Sequence, residues 1–252
     1  MSLAYTSVGT GDPVLFLHGC PTFPDVLASI AQASVATHTV IQIALPGYGA
    51  SAPLAGVFTV ADIHAAIEAT VVPLVGDRPV ALVGFSSGAY HAMALAARGK
   101  LAPRRVISLG GLMTLTPATR DGFKQFAAAL RQGVDLHGIA ADRFLSPAFK
   151  ATHPDAVRAV TAWLDATPPA NLASELEAFV AAPDLDADVA ALEVPILARV
   201  GALDVAVGPG ESERIVAAAR AGTLQVVPGA GHALMYEDLE GTTASVLSAL
   251  QA

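Results

Sequence analysis

Short, mostly apolar runs recur along the chain at residues 14–17 (VLFL), 40–43 (VIQI), 80–83 (VALV), 105–109 (RVISL), 195–200 (PILARV) and 224–227 (LQVV). Runs of this kind, rich in β-branched residues and closed by Gly, Pro or Asp, fit strands buried on both faces. Helical patterns lie between them over about 60–74, 87–98 and 211–221. Strands alternating with helices predict an α/β fold, a mainly parallel, doubly wound sheet with helices on both faces. Ligands of such sheets bind beyond the carboxyl ends of the strands, where the Gly-bearing turns gather.

The alternation stops between residues 112 and 192. No convincing strand occurs there, and helix-like segments at about 123–131, 155–166 and 172–182 are divided by Pro117, Pro147, Pro154, Pro168, Pro169 and Pro183. The pattern predicts a helical cap at 112–192 inserted into a core made of 1–111 and 193–252. Most of its aromatic residues are expected to pack between helices. Phe126 and Trp163, with Met113 and Leu234, are the candidates for a mostly apolar substrate pocket.

Composition narrows the class. Hydrophobic residues make up 53% of the 252 positions and charged ones 14%, yet no unbroken apolar run approaches the roughly 20 residues of a membrane span. The first residues lack the basic, apolar and small-residue order of a secretory signal, so a cytoplasmic location is expected. A single cysteine, Cys20, excludes an internal disulfide. The net charge of −8 and the absence of a basic cluster beyond Arg104-Arg105 speak against nucleic acid as a partner. Seven scattered histidines form no metal-ligand spacing, and no phosphate-cradling Gly-rich loop occurs, so neither metal nor cofactor is expected.

The segment VALVGFSSGAYHAMALAARG runs a strand into Gly84-Phe85-Ser86-Ser87-Gly88 and then into a helix. A plain turn with a serine cap would suit it. So would a nucleophile elbow, with the Ser86 hydroxyl at a strained apex between two small residues. A serine nucleophile needs a base, an acid to orient that base, and donors for the oxyanion. Asp204 follows the expected strand at 196–200 within GALD, and His232 follows the one at 224–227 within GAGH. Either residue alone reads as an ordinary loop side chain. Together with Ser86 each occupies a turn after a strand, in the order Ser, Asp, His.

On LFLHGCP, LPGYGAS, GFSSG, VGALD and GAGHALMYE, spread from Leu15 to Glu237, the chain resembles the α/β-hydrolases. That resemblance implies the α/β-hydrolase fold with a variable helical cap. It also implies Ser86 as nucleophile, His232 as base and Asp204 as acid, with the backbone N–H groups of Cys20 and Ser87 as the oxyanion hole. His18 is expected to brace the oxyanion loop, and His91 to be structural. The HG-x-P pattern of HGCP also resembles dehalogenase-like and epoxide-hydrolase-like relatives, but those place an aspartate where this chain has Ser86. Acyl chemistry on a small ester, thioester or lactone is therefore expected, with a carboxylesterase or lactonase first. Hydrolysis of a C–C bond in a diketone-like substrate, and a receptor that binds a small ligand with little turnover, are the alternatives.

Overall fold

The computed structural model describes residues 2–251; Met1 and Ala252, the outer ends of the two expected core segments, lie outside them. Seven strands, β1 (Tyr5–Val8), β2 (Asp12–Leu17), β3 (His38–Ile43), β4 (Val80–Phe85), β5 (Pro103–Leu109), β6 (Ile196–Gly201) and β7 (Gly222–Val227), form one sheet in the order β1-β3-β2-β4-β5-β6-β7. Every neighbouring pair is parallel except β1 with β3. The expected mainly parallel, doubly wound sheet is present.

Successive strand residues face opposite sides, and two apolar layers result. Leu15, Leu17, Ile41, Ile43, Leu82 and Val106 pack on one face against α2 (Val60–Val75), α3 (Ser87–Ala97) and, after the insertion, α10 (Pro209–Ala218). Val14, Phe16, Val83, Phe85, Ile107 and Leu109 pack on the other against α1 (Ala28–Ser34) and the helices that follow β7, α11 (Leu234–Glu237) and α12 (Leu239–Gln251). Burial on both faces is why β4 and β6, buried at every residue, read as continuous apolar runs.

Between β5 and β6 lie α4 (Pro117–Arg131), α5 (His137–Phe144), α6 (Pro147–Thr152), α7 (Pro154–Ala166), α8 (Pro169–Val180) and α9 (Asp186–Ala191). The prolines do divide these helices, and four of the six also open one. Pro117, Pro147, Pro154 and Pro169 each stand in the first turn, where a missing N–H costs nothing and the fixed φ already suits the helix. The helix expected at 123–131 accordingly begins at Pro117, and α5, α6 and α9 are additional. Helices α4 and α8 share a small core of Ala127, Leu130, Leu172, Ala173 and Leu176. Helices α5 and α7 instead join the sheet's second layer through Phe144, Val160 and Trp163. Val189 of α9 belongs to the first layer.

The register brings Leu17 opposite Gly84, Phe85 opposite Leu109, and Gly201 opposite Val227. The strands therefore end along one edge. There α3 approaches β2 so closely that a Cβ on Gly88 would lie 2.2 Å from the Leu17 carbonyl oxygen and 2.5 Å from that of His18. Gly88→Ala is expected to destabilise the protein by about 2–3 kcal/mol, because backbone rather than a movable side chain must give way. Urea unfolding at neutral pH checks this, and a change within error of zero would mean that α3 shifts freely.

Candidate active site

Ser86 stands between β4 and α3 at φ 54°, ψ −122°, the one non-glycine residue with positive φ among the described residues. Such backbone costs on the order of 1–3 kcal/mol and persists only where its surroundings enforce it. Here the Ser86 N–H donates to the Leu109 carbonyl at 2.9 Å, and the Ser86 carbonyl accepts from Ala89 N–H at 3.0 Å. Both backbone groups are held while the hydroxyl borders a cavity that His232, Cys20 and Ser87 also line.

Asp204 and His232 meet from the loops after β6 and β7. His232 Nδ1 lies 2.7 Å from Asp204 Oδ2, and both residues are buried. Asp204 Oδ1 accepts from the N–H groups of Ala206 at 2.8 Å and Val207 at 3.0 Å. Burial pushes this carboxyl up, but His232 and the two backbone donors outweigh it and hold the carboxyl below its ordinary range. The imidazole is packed between Phe85 and Phe144, at ring-centroid distances of 4.9 and 5.1 Å. With Nδ1 engaged by a carboxylate, Nε2 is the ring nitrogen left over, and it is buried without a protein partner. Gly110, after β5, was not among the expected site residues. At φ +54°, it would place a Cβ 3.1 Å from His232 Nδ1 and 3.4 Å from Asp204 Oδ2. The Gly110-Gly111 pair closing a strand is the signal that marks it.

The loop after β2 carries the other expected donor. Cys20 N–H donates to Ser87 Oγ at 2.8 Å, so the two expected oxyanion residues are joined through the Ser87 side chain. The turn beneath is fixed by Thr22, whose N–H donates to the Gly19 carbonyl at 2.7 Å. His18 holds the loop as expected. Its Nε2 accepts from Leu45 N–H at 3.0 Å, so the proton is on Nδ1, 3.1 Å from the Gly19 carbonyl. Burial lowers its pKa to about 4 against the weaker opposing effect of backbone hydrogen bonds, and it is neutral at pH 7. His91 is buried against Phe179, with Nδ1 2.9 Å from His64 Nε2.

Of the expected pocket residues, Phe126 lines the cavity and three do not. Trp163 is packed between Phe144 and Tyr236, at 5.3 and 5.9 Å between ring centroids, because α7 faces the sheet's second layer. Met113 is sealed in the first layer, and Leu234 is fully buried at the start of α11. Phe123, Phe144, Leu172, Leu176 and Phe179 form the apolar wall in their place.

Behind Cys20 lies a polar cluster that the sequence pattern did not single out. The Tyr48 hydroxyl donates to Glu175 Oε2, both groups buried. Burial pushes the Glu175 carboxyl up to about 7, despite Tyr48 and Cys20, which favour its charged form. Burial and the Glu175 charge push the Cys20 thiol up as well, which suits a thiol that stays protonated rather than a nucleophile.

Ser86 after β4 and the Asp204–His232 pair from the loops after β6 and β7 thus stand at the carboxyl ends of parallel strands of one doubly wound sheet. The chain belongs to the alpha/beta hydrolase family, whose model matches residues 14–244. Membership supports a hydrolase. Similar solved structures include a thermophilic esterase from Thermogutta terrifontis, 24% identical at a TM-score of 0.89, covering 99% of this chain and 93% of that one. The enol-lactonase from Burkholderia xenovorans is 19% identical at a TM-score of 0.87, covering 99% and 96%. At these identities the likeness is one of fold. The polyketide synthase ThaQ of Burkholderia thailandensis is 28% identical over 254 residues, covering 96% of this chain. The chain spans only 12% of that protein's length. No helix among the described residues is long and apolar enough to cross a membrane.

Glu175 makes stability depend on pH. Its folded-state pKa of about 7 lies above the ordinary 4.5, so the fold binds the proton more tightly than the unfolded chain. The contribution is complete below pH 4.5 and is lost as pH rises through 7. Over that window the difference in unfolding free energy between the wild type and Glu175→Gln is expected to change by on the order of 3 kcal/mol, at about 1.4 kcal/mol per unit. Urea titrations at a series of pH values measure it, and parallel curves would show that Glu175 is ionised throughout.

Proposed function

We propose that this protein is a serine hydrolase that cleaves a small carboxylic ester or lactone through an acyl-enzyme on Ser86. The observation that carries the reading is the His232–Asp204 pair, which leaves the second nitrogen of a buried imidazole on a residue lining the same cavity as the strained Ser86. Ser86 Oγ attacks the carbonyl carbon while His232 Nε2 takes its proton. Asp204, ionised and held by two backbone N–H groups, stabilises the imidazolium and fixes its tautomer.

The tetrahedral oxyanion is received by the backbone N–H groups of Ser87 and Cys20. A donor of this kind is worth ~3–4 kcal/mol of barrier when removed singly. Because Cys20 N–H is engaged by Ser87 Oγ at 2.8 Å, that hydroxyl turns aside when the oxyanion forms. His232 returns its proton to the leaving alkoxide, then activates water, which attacks the acyl carbon and releases the acid and Ser86. The helices between residues 112 and 192 act as the cap that selects the acyl group, Phe123 and Phe126 of α4 forming its apolar side.

Fluorophosphonate labelling with mass spectrometry tests the assignment. Stoichiometric modification of Ser86, and none of Ser86→Ala, is the expected result. Asp204→Asn should retain the fold yet lower kcat on p-nitrophenyl butyrate by about 10³–10⁴-fold, since the amide favours the wrong tautomer. A folded wild type that neither labels nor hydrolyses activated esters would make the ligand-receptor reading the better one.

A further inference from the structure

The cavity beside Ser86 is walled mainly by apolar side chains, and among the described residues lining it Arg143 is the one permanent charge. The chain carries 22 Asp and Glu against 14 Lys and Arg, and most of its arginines find acids. Arg98 pairs with Glu68, Arg104 with Asp12, Arg120 with Asp184, Arg131 with Glu177, and Arg220 with Glu193. Arg143, half-buried at the end of α5, has no carboxylate partner among the described residues. Its one hydrogen bond runs from Nη2 to the Ala206 carbonyl, at 2.8 Å.

That bond fixes where the cation sits. Ala206 also donates its N–H to Asp204 Oδ1, and the next residue of α5, Phe144, packs on the His232 ring. The guanidinium is thus tied to the loop that holds the acid. A guanidinium has five N–H donors in a planar fork, and the Ala206 carbonyl uses one. No nitrogen of Arg143 is among the groups sealed without a partner, so the others remain accessible, on a residue that lines the cavity. A ligand filling this cavity would strip water from an unpaired cation. A neutral group there would leave it uncompensated, whereas a carboxylate would meet it with charge-assisted, bidentate geometry.

We infer that the substrate carries a carboxylate in addition to the scissile ester or lactone, and that Arg143 binds it while the reacting carbonyl lies at Ser86. This rests on the serine-hydrolase reading above. Arg143 is a specificity-determining residue in this scheme. A strut between α5 and the Asp204 loop would need only the bond to Ala206 and would be indifferent to substrate charge.

The test compares kcat/KM for mono-p-nitrophenyl glutarate with that for its neutral methyl ester, p-nitrophenyl methyl glutarate. The wild type is expected to favour the carboxylate by at least about ten-fold, mostly through KM, the scale of a charge-assisted hydrogen bond. Arg143→Gln should lower that ratio at least ten-fold, whatever happens to the absolute rates, and Arg143→Lys should recover part of it. Equal kcat/KM values in the wild type, or a ratio unmoved in Arg143→Gln, would overturn the inference while leaving the hydrolase reading intact. Should Arg143→Gln fail to fold, competitive inhibition of the wild type decides: monomethyl glutarate is expected to inhibit at least ten-fold more tightly than dimethyl glutarate, and equal inhibition overturns the proposal. If the wild type hydrolyses neither ester, the hydrolase reading falls. Calorimetric titration with monomethyl and dimethyl glutarate then tests Arg143 alone, selective binding of the anion supporting its role and no selectivity refuting it.

Discussion

The first turn of α3 lies directly on the Leu17 and His18 carbonyl groups, with Gly88 leaving no side chain between the two backbones. This contact brings the end of β2 and the turn after β4 within hydrogen-bond reach, so that Cys20 N–H meets Ser87 Oγ. It also helps hold Ser86 in backbone geometry that an isolated serine would abandon. The neighbouring strand adds the second restraint, through the Leu109 carbonyl that accepts from Ser86 N–H. A larger residue at Gly88 would disturb the donor loop and the hydroxyl together, because one contact sets both.

Around that point the polar groups are arranged by burial. Asp204 stays ionised because the imidazole and two peptide N–H groups outweigh its desolvation. At His18 burial outweighs two backbone hydrogen bonds, and at His91 it acts together with the neighbouring histidines, so both are driven toward the neutral form. Glu175 is the opposite case to Asp204. Its Tyr48 and Cys20 partners favour ionisation but do not overcome the loss of water. Two buried carboxyls within one protein therefore titrate in different ranges, a difference set by whether backbone N–H groups and an imidazole face them.

What could be read from the sequence followed burial. Strands buried on both faces, such as β4 and β6, stand out as apolar runs, and their ends pointed to Ser86 and Asp204. Strand β1 was missed because all four of its residues are exposed at the sheet edge, so no alternation marks it. The residues Pro117, Pro147, Pro154 and Pro169 signalled boundaries correctly but not which side of them was helical. Trp163 shows the limit for the pocket: an aromatic residue on an amphipathic helix announces burial, and only the packing of α7 on the sheet decides that it faces away from the cavity. Glu175 and Tyr48 are far apart in the chain, and nothing local distinguishes a glutamate buried beneath a loop from one in water.

The helices between β5 and β6 are anchored unequally. Helices α5 and α7 are built into the sheet's second layer, whereas α4 buries only Ala127 and Leu130, both in the small core it shares with α8. Phe123 and Phe126, which meet the cavity, are therefore carried by a helix that touches the sheet's first layer only through the partly buried Phe123. Variation there costs less folding free energy than in the sheet's own layers, so the shape of the cavity wall is free to drift over generations of sequence change. The serine, the imidazole and the carboxylate, fixed to the sheet edge, have no such latitude.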